Sequence, residues 1–323
     1  MELNFIKLSI YLISLLIFFF SYKYSFNIGK RLKLLDNDNV PLLGGIILFF
    51  GFILNFLVIK ENNYSEEFIV NIYFISCVFL IALADDVYNL KPLIRIFLIS
   101  IVVIFFIFNN KLLINNIFSY YFGLFYFPNN IFIKFIFPTF CLIVLINAFN
   151  FTDGINGLAT IIGISWFLYL ILKLPILFEL YLMFILFLIF FLILNLKNKT
   201  FLGDSGNYII STTIGCIIMI INDKYIYLIS VEEILLLLLI PGIDLIRLFY
   251  KRIKNGKSPF VGDLDHLHHL LYKKYKLTKS LIIYSLMINV PIYLFYYFND
   301  LLIYLLIFSI GNYYFLISKT SSS

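Results

Sequence analysis

Four short stretches of this 323-residue chain carry side chains that could do chemistry, and carboxylates and amides dominate them. Asp85 and Asp86 are adjacent, at the end of an apolar run. If that run is a helix, its C-terminal carbonyls already present partial negative charge, so the pair wants a compensating cation. A metal ion or a basic side chain would serve. Arg95 is the nearby guanidinium, able to pair with Asp86 or with a substrate phosphate, and Pro92 suits the start of its helix. Asn147, Asn150, Asp153 and Asn156 recur every three residues, a spacing that on a helix or helical turn puts neighbours on one face. Oxygen ligands so arranged suit a hard cation such as magnesium, or the edges of a nucleobase and its ribose. In Phe201-Leu-Gly-Asp-Ser-Gly-Asn207, Asp204 sits between glycines ahead of another apolar run, where it could cap a helix or bind a metal. All 3 histidines, His266, His268 and His269, fall in Gly262–His269 within the most basic loop, Lys251 to Lys279. His266 and His269 would share a helical face and could ligate zinc, but no cysteine is near. Phosphate binding fits histidines and lysines beside Asp-rich motifs better. Asp244 and Arg247, at i,i+3 spacing just ahead, can pair with each other.

Positioning these groups falls to a scaffold of unusual composition. Apolar residues make up 62% of the chain and charged residues 13%, with a mean hydropathy of +1.00. That excludes an ordinary water-soluble domain and predicts a polytopic integral membrane protein, all-α, with the whole chain 1–323 as one domain and no nucleic-acid partner. The first apolar stretch shows no small-residue cleavage pattern and reads as a retained span. Cys77, Cys141 and Cys216 all fall in apolar runs without paired spacing, so neither a disulfide nor a metal knuckle is expected.

Apolar windows predict about eleven transmembrane helices, near residues 5–22, 42–59, 68–84, 93–108, 131–148, 157–172, 176–194, 208–221, 226–248, 281–296 and 301–317. Segment 109–130 is too polar and aromatic to span and could form a short hairpin. An odd number puts the termini on opposite sides. Most of the 24 Lys and Arg residues then collect on the side of the C-terminus, which the positive-inside rule makes cytoplasmic, with the N-terminus outside. Asp36, Asp38, Asp85, Asp86, Asp153, Asp204, Asp244, Asp263 and Asp265 fall on that same side, while the glutamates fall at or toward the other. Chemistry at the cytoplasmic membrane surface is expected. A cation-coupled transporter using the same carboxylates is the rival; it predicts acids near mid-bilayer, whereas these lie at span ends.

Five segments in order, Pro41 to Gly45, Asp85-Asp86 through Pro92 and Arg95, Asn147 to Leu158, Phe201 to Gly206 and Ser258 to His269, make the chain resemble the polyprenyl-phosphate N-acetylhexosamine-1-phosphate transferases. Ser-Pro-Phe followed by His-Leu-His-His is similar to the bacterial undecaprenyl-phosphate GlcNAc-1-phosphate branch. The resemblance implies eleven helices in the bacterial inner membrane, a UDP-N-acetylhexosamine, undecaprenyl phosphate, and magnesium, with manganese able to replace it; it leaves room for a homodimer. It implies further that Asp204, joined by Asn150, ligates the metal. Asp153, Asn156, Asn195 and Phe201 would border the uridine. Arg95, His266, His268 and His269 would hold phosphates, and Asp85 and Asp86 would flank the reacting lipid phosphate. The pattern departs at Leu42, where the family carries arginine, at Leu264, where a basic residue usually precedes the histidines, and just before Phe201, where Pro-Ala is absent.

Overall fold

The computed structural model describes residues 2–36, 38–61, 66–110, 113–258 and 263–321. Its α-helices are α1 (Glu2–Leu32), α2 (Gly44–Glu61), α3 (Glu66–Tyr88), α4 (Pro92–Asn110), α5 (Ile131–Asn150), α6 (Leu158–Lys173), α7 (Ile176–Leu196), α8 (Gly203–Lys224), α9 (Val231–Lys254), α10 (Leu267–Tyr297) and α11 (Leu302–Ser321). Each apolar window of the sequence falls on one of them. Among the described residues, six helices are long and apolar enough to cross a membrane by themselves: α3, α4, α5, α8, α10 and α11.

The least apolar of these six windows turns out to be the core. α8 packs against α2, α3, α5 and α6 and is buried along nearly its whole length. Two of its hydroxyls are satisfied within the helix, Ser211 donating to the carbonyl of Asn207 and Thr213 to that of Ile209, whereas those of Tyr208 and Thr212 are buried without a hydrogen-bond partner. α4 is the opposite case. Leu93, Phe97, Ile101, Phe105 and Phe108 are exposed along it, the face a helix turns to lipid tails.

The hairpin expected within 109–130 is present as antiparallel β1 (Asn116–Ser119) and β2 (Gly123–Tyr126). It is fastened to the start of α9, where the buried Glu232 accepts from the Ser119 hydroxyl and the Tyr120 amide. α9 opens with a capping box between Ser230 and Glu233. Glu233 also pairs with Lys173 and accepts from Tyr169, so this end of the bundle is closed by satisfied polar groups.

Two sequence expectations are corrected. The tenth helix begins at Leu267, well ahead of the window at 281, because Leu267 and Leu271 are buried at i,i+4 spacing and carry the helix into the basic loop. It breaks at Lys276, whose φ is 62°. The other concerns Asn147 to Asn156: α5 ends at Asn150 and the chain continues in turns, which still bring Asn150, Asp153 and Asn156 to one side and leave Asn147 apart from them.

Candidate active site

The ends of α3, α5 and α8 bring the acidic motifs together around a cavity of about 420 Å³. Asp85, Asp86, Asn150, Asp153, Asn156, Asn195, Phe201 and Asp204 all line it. Arg95 and the three histidines do not. Asp36, Leu42, Asn89 and Asn207 line it as well, though the sequence reading assigned them no part in the site. Asn207 stands three residues beyond Asp204 and Asn89 four beyond Asp85, helical spacings that could have flagged both.

Asp86 performs the capping that sequence allowed for Asp204. α8 starts at Gly203, and no side chain of its own caps it. Instead the Asp86 carboxylate accepts from the amides of Asp204 (2.8 Å) and Ser205 (3.1 Å) and from the Ser205 hydroxyl. A carboxylate from another helix thus meets the positive end of the α8 dipole and its unpaired N–H groups. The approach is close: Gly203 has a φ of +72°, and a Cβ there would lie 2.8 Å from Asp86 Oδ2.

Arg95 compensates Asp85 and not Asp86. Its Nη1 donates to Asp85 Oδ2 at 2.6 Å and also to Asp204, drawing α3, α4 and α8 onto one guanidinium. Asp85 Oδ1 accepts the Leu90 amide at 2.7 Å. The Arg95 Nε is buried without a hydrogen-bond partner. Arg95 also lines a second, smaller cavity of about 170 Å³ with Pro92, Asn147, Phe151 and the α9 residues Leu245 and Phe249. It thus lines the largely apolar space itself and is bonded to Asp85 and Asp204, which line the acidic one.

On the α5–α6 side, burial pushes the Asp153 carboxyl up to about 6, reinforced by the charge of Asp86 and opposed by a hydrogen bond from Asn207 Nδ2 at 2.8 Å. Asn195 is buried and braces the backbone: its Nδ2 donates to the Thr200 carbonyl at 2.9 Å and its Oδ1 accepts the Gly157 amide. Asn156 donates to Asn198.

Behind this wall sits the histidine block. His266 Nδ1 lies 2.9 Å from Asp244 Oδ2. Asp244 also accepts from Arg247 (2.9 Å), the pairing expected from sequence, and from Tyr313 (2.6 Å). Asp263 pairs with Arg252 and Asp265 with Lys251. His268 is buried, its Nε2 packed so closely on Gly154 that a Cβ there would overlap it. Pro259, Phe260 and Gly262 of this motif lie outside the described residues.

Two metal sets can be weighed on these contacts. Ligand atoms of Asp244, His266 and His268 lie within 4.8 Å of one another, supplying the third ligand that sequence did not imply for zinc. Asp244 is already neutralised by Arg247, however, and Arg252 Nη2 stands 3.5 Å from His266 Nε2, so a dication there would face two guanidiniums. Around the cavity the charge runs the other way. Asp36, Asp85, Asp86, Asp153 and Asp204 line it, and the buried Asn150 Oδ1 has no hydrogen-bond partner. An oxygen-only set with an orphaned acceptor fits a hard cation.

Known proteins are similar to this chain in sequence. The chain is 26% identical over 286 residues to the undecaprenyl-phosphate alpha-N-acetylglucosaminyl 1-phosphate transferase of Escherichia coli K12, covering 82% of this chain and 75% of that one. The Yersinia pestis protein of the same description is 27% identical over 278 residues, covering 80% and 75%. Residues 68–222 match glycosyl transferase family 4. The chain is similar to this family over that stretch. The family 4 match runs from α3 through α8 and so contains both aspartate motifs, Arg95 and the α5–α6 turn. The Haemophilus influenzae protein of the same description is 35% identical over a shorter stretch of 77 residues, covering 24% of this chain and 22% of that one.

Proposed function

We propose that the protein transfers an N-acetylhexosamine-1-phosphate from a UDP-sugar to undecaprenyl phosphate or a similar polyprenyl phosphate, releasing UMP and starting a lipid-linked surface glycan. The observation that carries this reading is Arg95, which lines the apolar cavity and donates to Asp85 and Asp204, two residues that line the acidic one. A nucleotide-sugar and a lipid phosphate need two such entrances that meet at the reacting phosphorus.

In this reading the UDP-sugar occupies the larger cavity, with Asp153, Asn156 and Phe201 toward the uridine and Asp204 toward the diphosphate. The lipid phosphate enters by the smaller cavity, which Arg95 lines and where a guanidinium can receive an anion. Its oxygen attacks the sugar-linked phosphorus and UMP leaves. Phosphate monoesters have a second pKa near 6, so the attacking group is already mostly dianionic at neutral pH, and Asp85 serves to direct it. The acidic lining cannot by itself hold a diphosphate; a magnesium or manganese ion held by Asp204 and Asn150 supplies the charge neutralisation that phosphoryl transfer requires. The histidines back the Gly154 turn, and His269, which is half-buried, is the member to which we assign a phosphate contact.

Purified protein, magnesium and undecaprenyl phosphate, offered a panel of UDP-N-acetylhexosamines, should release UMP with at least one of them. Release from none would overturn the reading.

We further propose that the site faces the cytoplasm, with the N-terminus outside and the helices spanning as the eleven apolar windows indicate. The bias of Lys and Arg supports this orientation. In a background without the native cysteines, a cysteine at Asn129 should react with an impermeant thiol reagent in intact cells and one at Ser258 should not. The reverse labelling would sink the orientation.

A further inference from the structure

We propose that Thr200 is a positioning residue for the nucleotide-sugar half of the site, its hydroxyl holding the segment that carries Phe201 and Asp204 against the Pro41–Gly45 turn; this rests on the transferase reading above. Thr200 is completely buried and does not line the cavity. Its Oγ1 donates to the Pro41 carbonyl at 2.7 Å and accepts the Leu43 amide at 3.0 Å, so its proton and a lone pair are both committed across a separation of more than 150 positions. Backbone bonds continue the seam: Phe201 N to Pro41 O at 2.8 Å, Gly44 N to Phe201 O at 3.0 Å, and Gly45 N to Leu202 O at 3.1 Å. Gly45 packs onto Ser205, the residue that Asp86 caps, so the turn also bears on the first residues of α8.

The second half of the stitch runs through the other face of Thr200. Its carbonyl accepts Asn195 Nδ2, and Asn195 Oδ1 accepts the Gly157 amide. Two buried side chains, Thr200 and Asn195, thereby join the turn before α2, the turn before α6 and the turn before α8. These are the turns that present Leu42, Asn156, Phe201 and Asp204 to the cavity. Each turn is irregular backbone whose polar groups need partners, and at this point the partners are one hydroxyl and one amide. Remove the hydroxyl and the Leu43 amide loses the acceptor that the structure gives it, while Phe201 and Asp204 lose a fixed support.

Thr200→Val keeps the side chain's shape and deletes the hydroxyl. The expected result is a KM for the UDP-sugar raised about tenfold, the scale of one lost buried hydrogen bond, with the KM for polyprenyl phosphate unchanged. Thr200→Ser, which keeps the hydroxyl, should return the UDP-sugar KM to the wild-type range. A role in stability alone would lower heat resistance without singling out one substrate. Hydrogen exchange, which needs no substrate, supplies an independent reading: the amides of Leu43, Gly44, Gly45 and Phe201 should exchange together in the wild type and faster in T200V. If the wild type transfers no sugar but these amides loosen together in T200V, the transferase reading falls and the stitch stands. Wild-type KM and wild-type exchange in T200V would overturn the proposal, as would a serine variant as impaired as the valine one. Should T200V fail to accumulate, exchange in the wild type decides: joint exchange of Leu43, Phe201 and Gly157 supports the stitch, and independent exchange overturns it.

Discussion

Asp204→Asn should give a folded, membrane-inserted protein that exchanges labelled UMP into the UDP-sugar, in the presence of lipid product, about 10²- to 10³-fold more slowly than wild type. That is the usual scale for losing one electrostatic contact to a transition state. From sequence, helix capping and metal ligation were both open to this carboxylate, and asparagine caps nearly as well as aspartate. The structure removes the first role, since Asp86 occupies the start of α8. Asp204 is left facing the cavity and Arg95. Asparagine there preserves size and removes the charge that a hard dication depends on, so high magnesium or manganese should restore part of the activity. Ordinary exchange at ordinary magnesium would take Asp204 out of the site.

Asp85→Asn and Asp86→Asn should both lower turnover by roughly 10²-fold or more, on the scale of a group that directs a nucleophile, yet differ in stability. In Asp85→Asn the one retained oxygen can serve either the Leu90 amide or Arg95, but Arg95 keeps Asp204 and α8 keeps its Asp86 cap, so heat resistance in detergent should fall less than in Asp86→Asn while turnover falls as far. Asp86 is another matter. Both its oxygens accept from the first turn of α8, and an asparagine must turn its NH₂ toward one of those donors. The unmade bond costs about 1–3 kcal/mol, and α8 loses its anchor to α3. Melting should therefore drop with Asp86→Asn in step with activity. Equal heat resistance in the two variants would refute this division of labour, and near-normal turnover in both would remove the pair from the chemistry.

Much of the architecture was legible in the residues. Each apolar window corresponds to a helix because membrane-spanning structure is dictated locally: every backbone group must be satisfied within its own segment, and about twenty apolar residues announce it. The aspartate motifs were legible as a set for a related reason. Charged groups are confined to helix ends in such a chain, so the alternation of spans sorts them by side. α10 shows where this reasoning stops. Its first turns are polar enough to look like loop, and only burial of Leu267 and Leu271 against the bundle makes them helix.

What tertiary structure alone decided is which group serves which. Asp85 and Asp86 are neighbours in sequence, but successive residues on a helix point about 100° apart, so one meets Arg95 and the other meets the start of α8. Asn195, read as a uridine contact, braces two turns as well as lining the cavity. The histidines, read as phosphate ligands, form a block centred on Asp244, with His266 bonded to that carboxylate and His268 packed on Gly154. Spacing along a chain records which residues share a helix. The partners of Asp86 lie as many as 119 positions away, and their meeting depends on how α3 and α8 pack. By itself the sequence determined that carboxylates, amides and histidines would gather at one end of a helical membrane protein; packing decided which of them cap, which brace and which remain open to a ligand, because those roles are set by contacts between helices that no local pattern encodes.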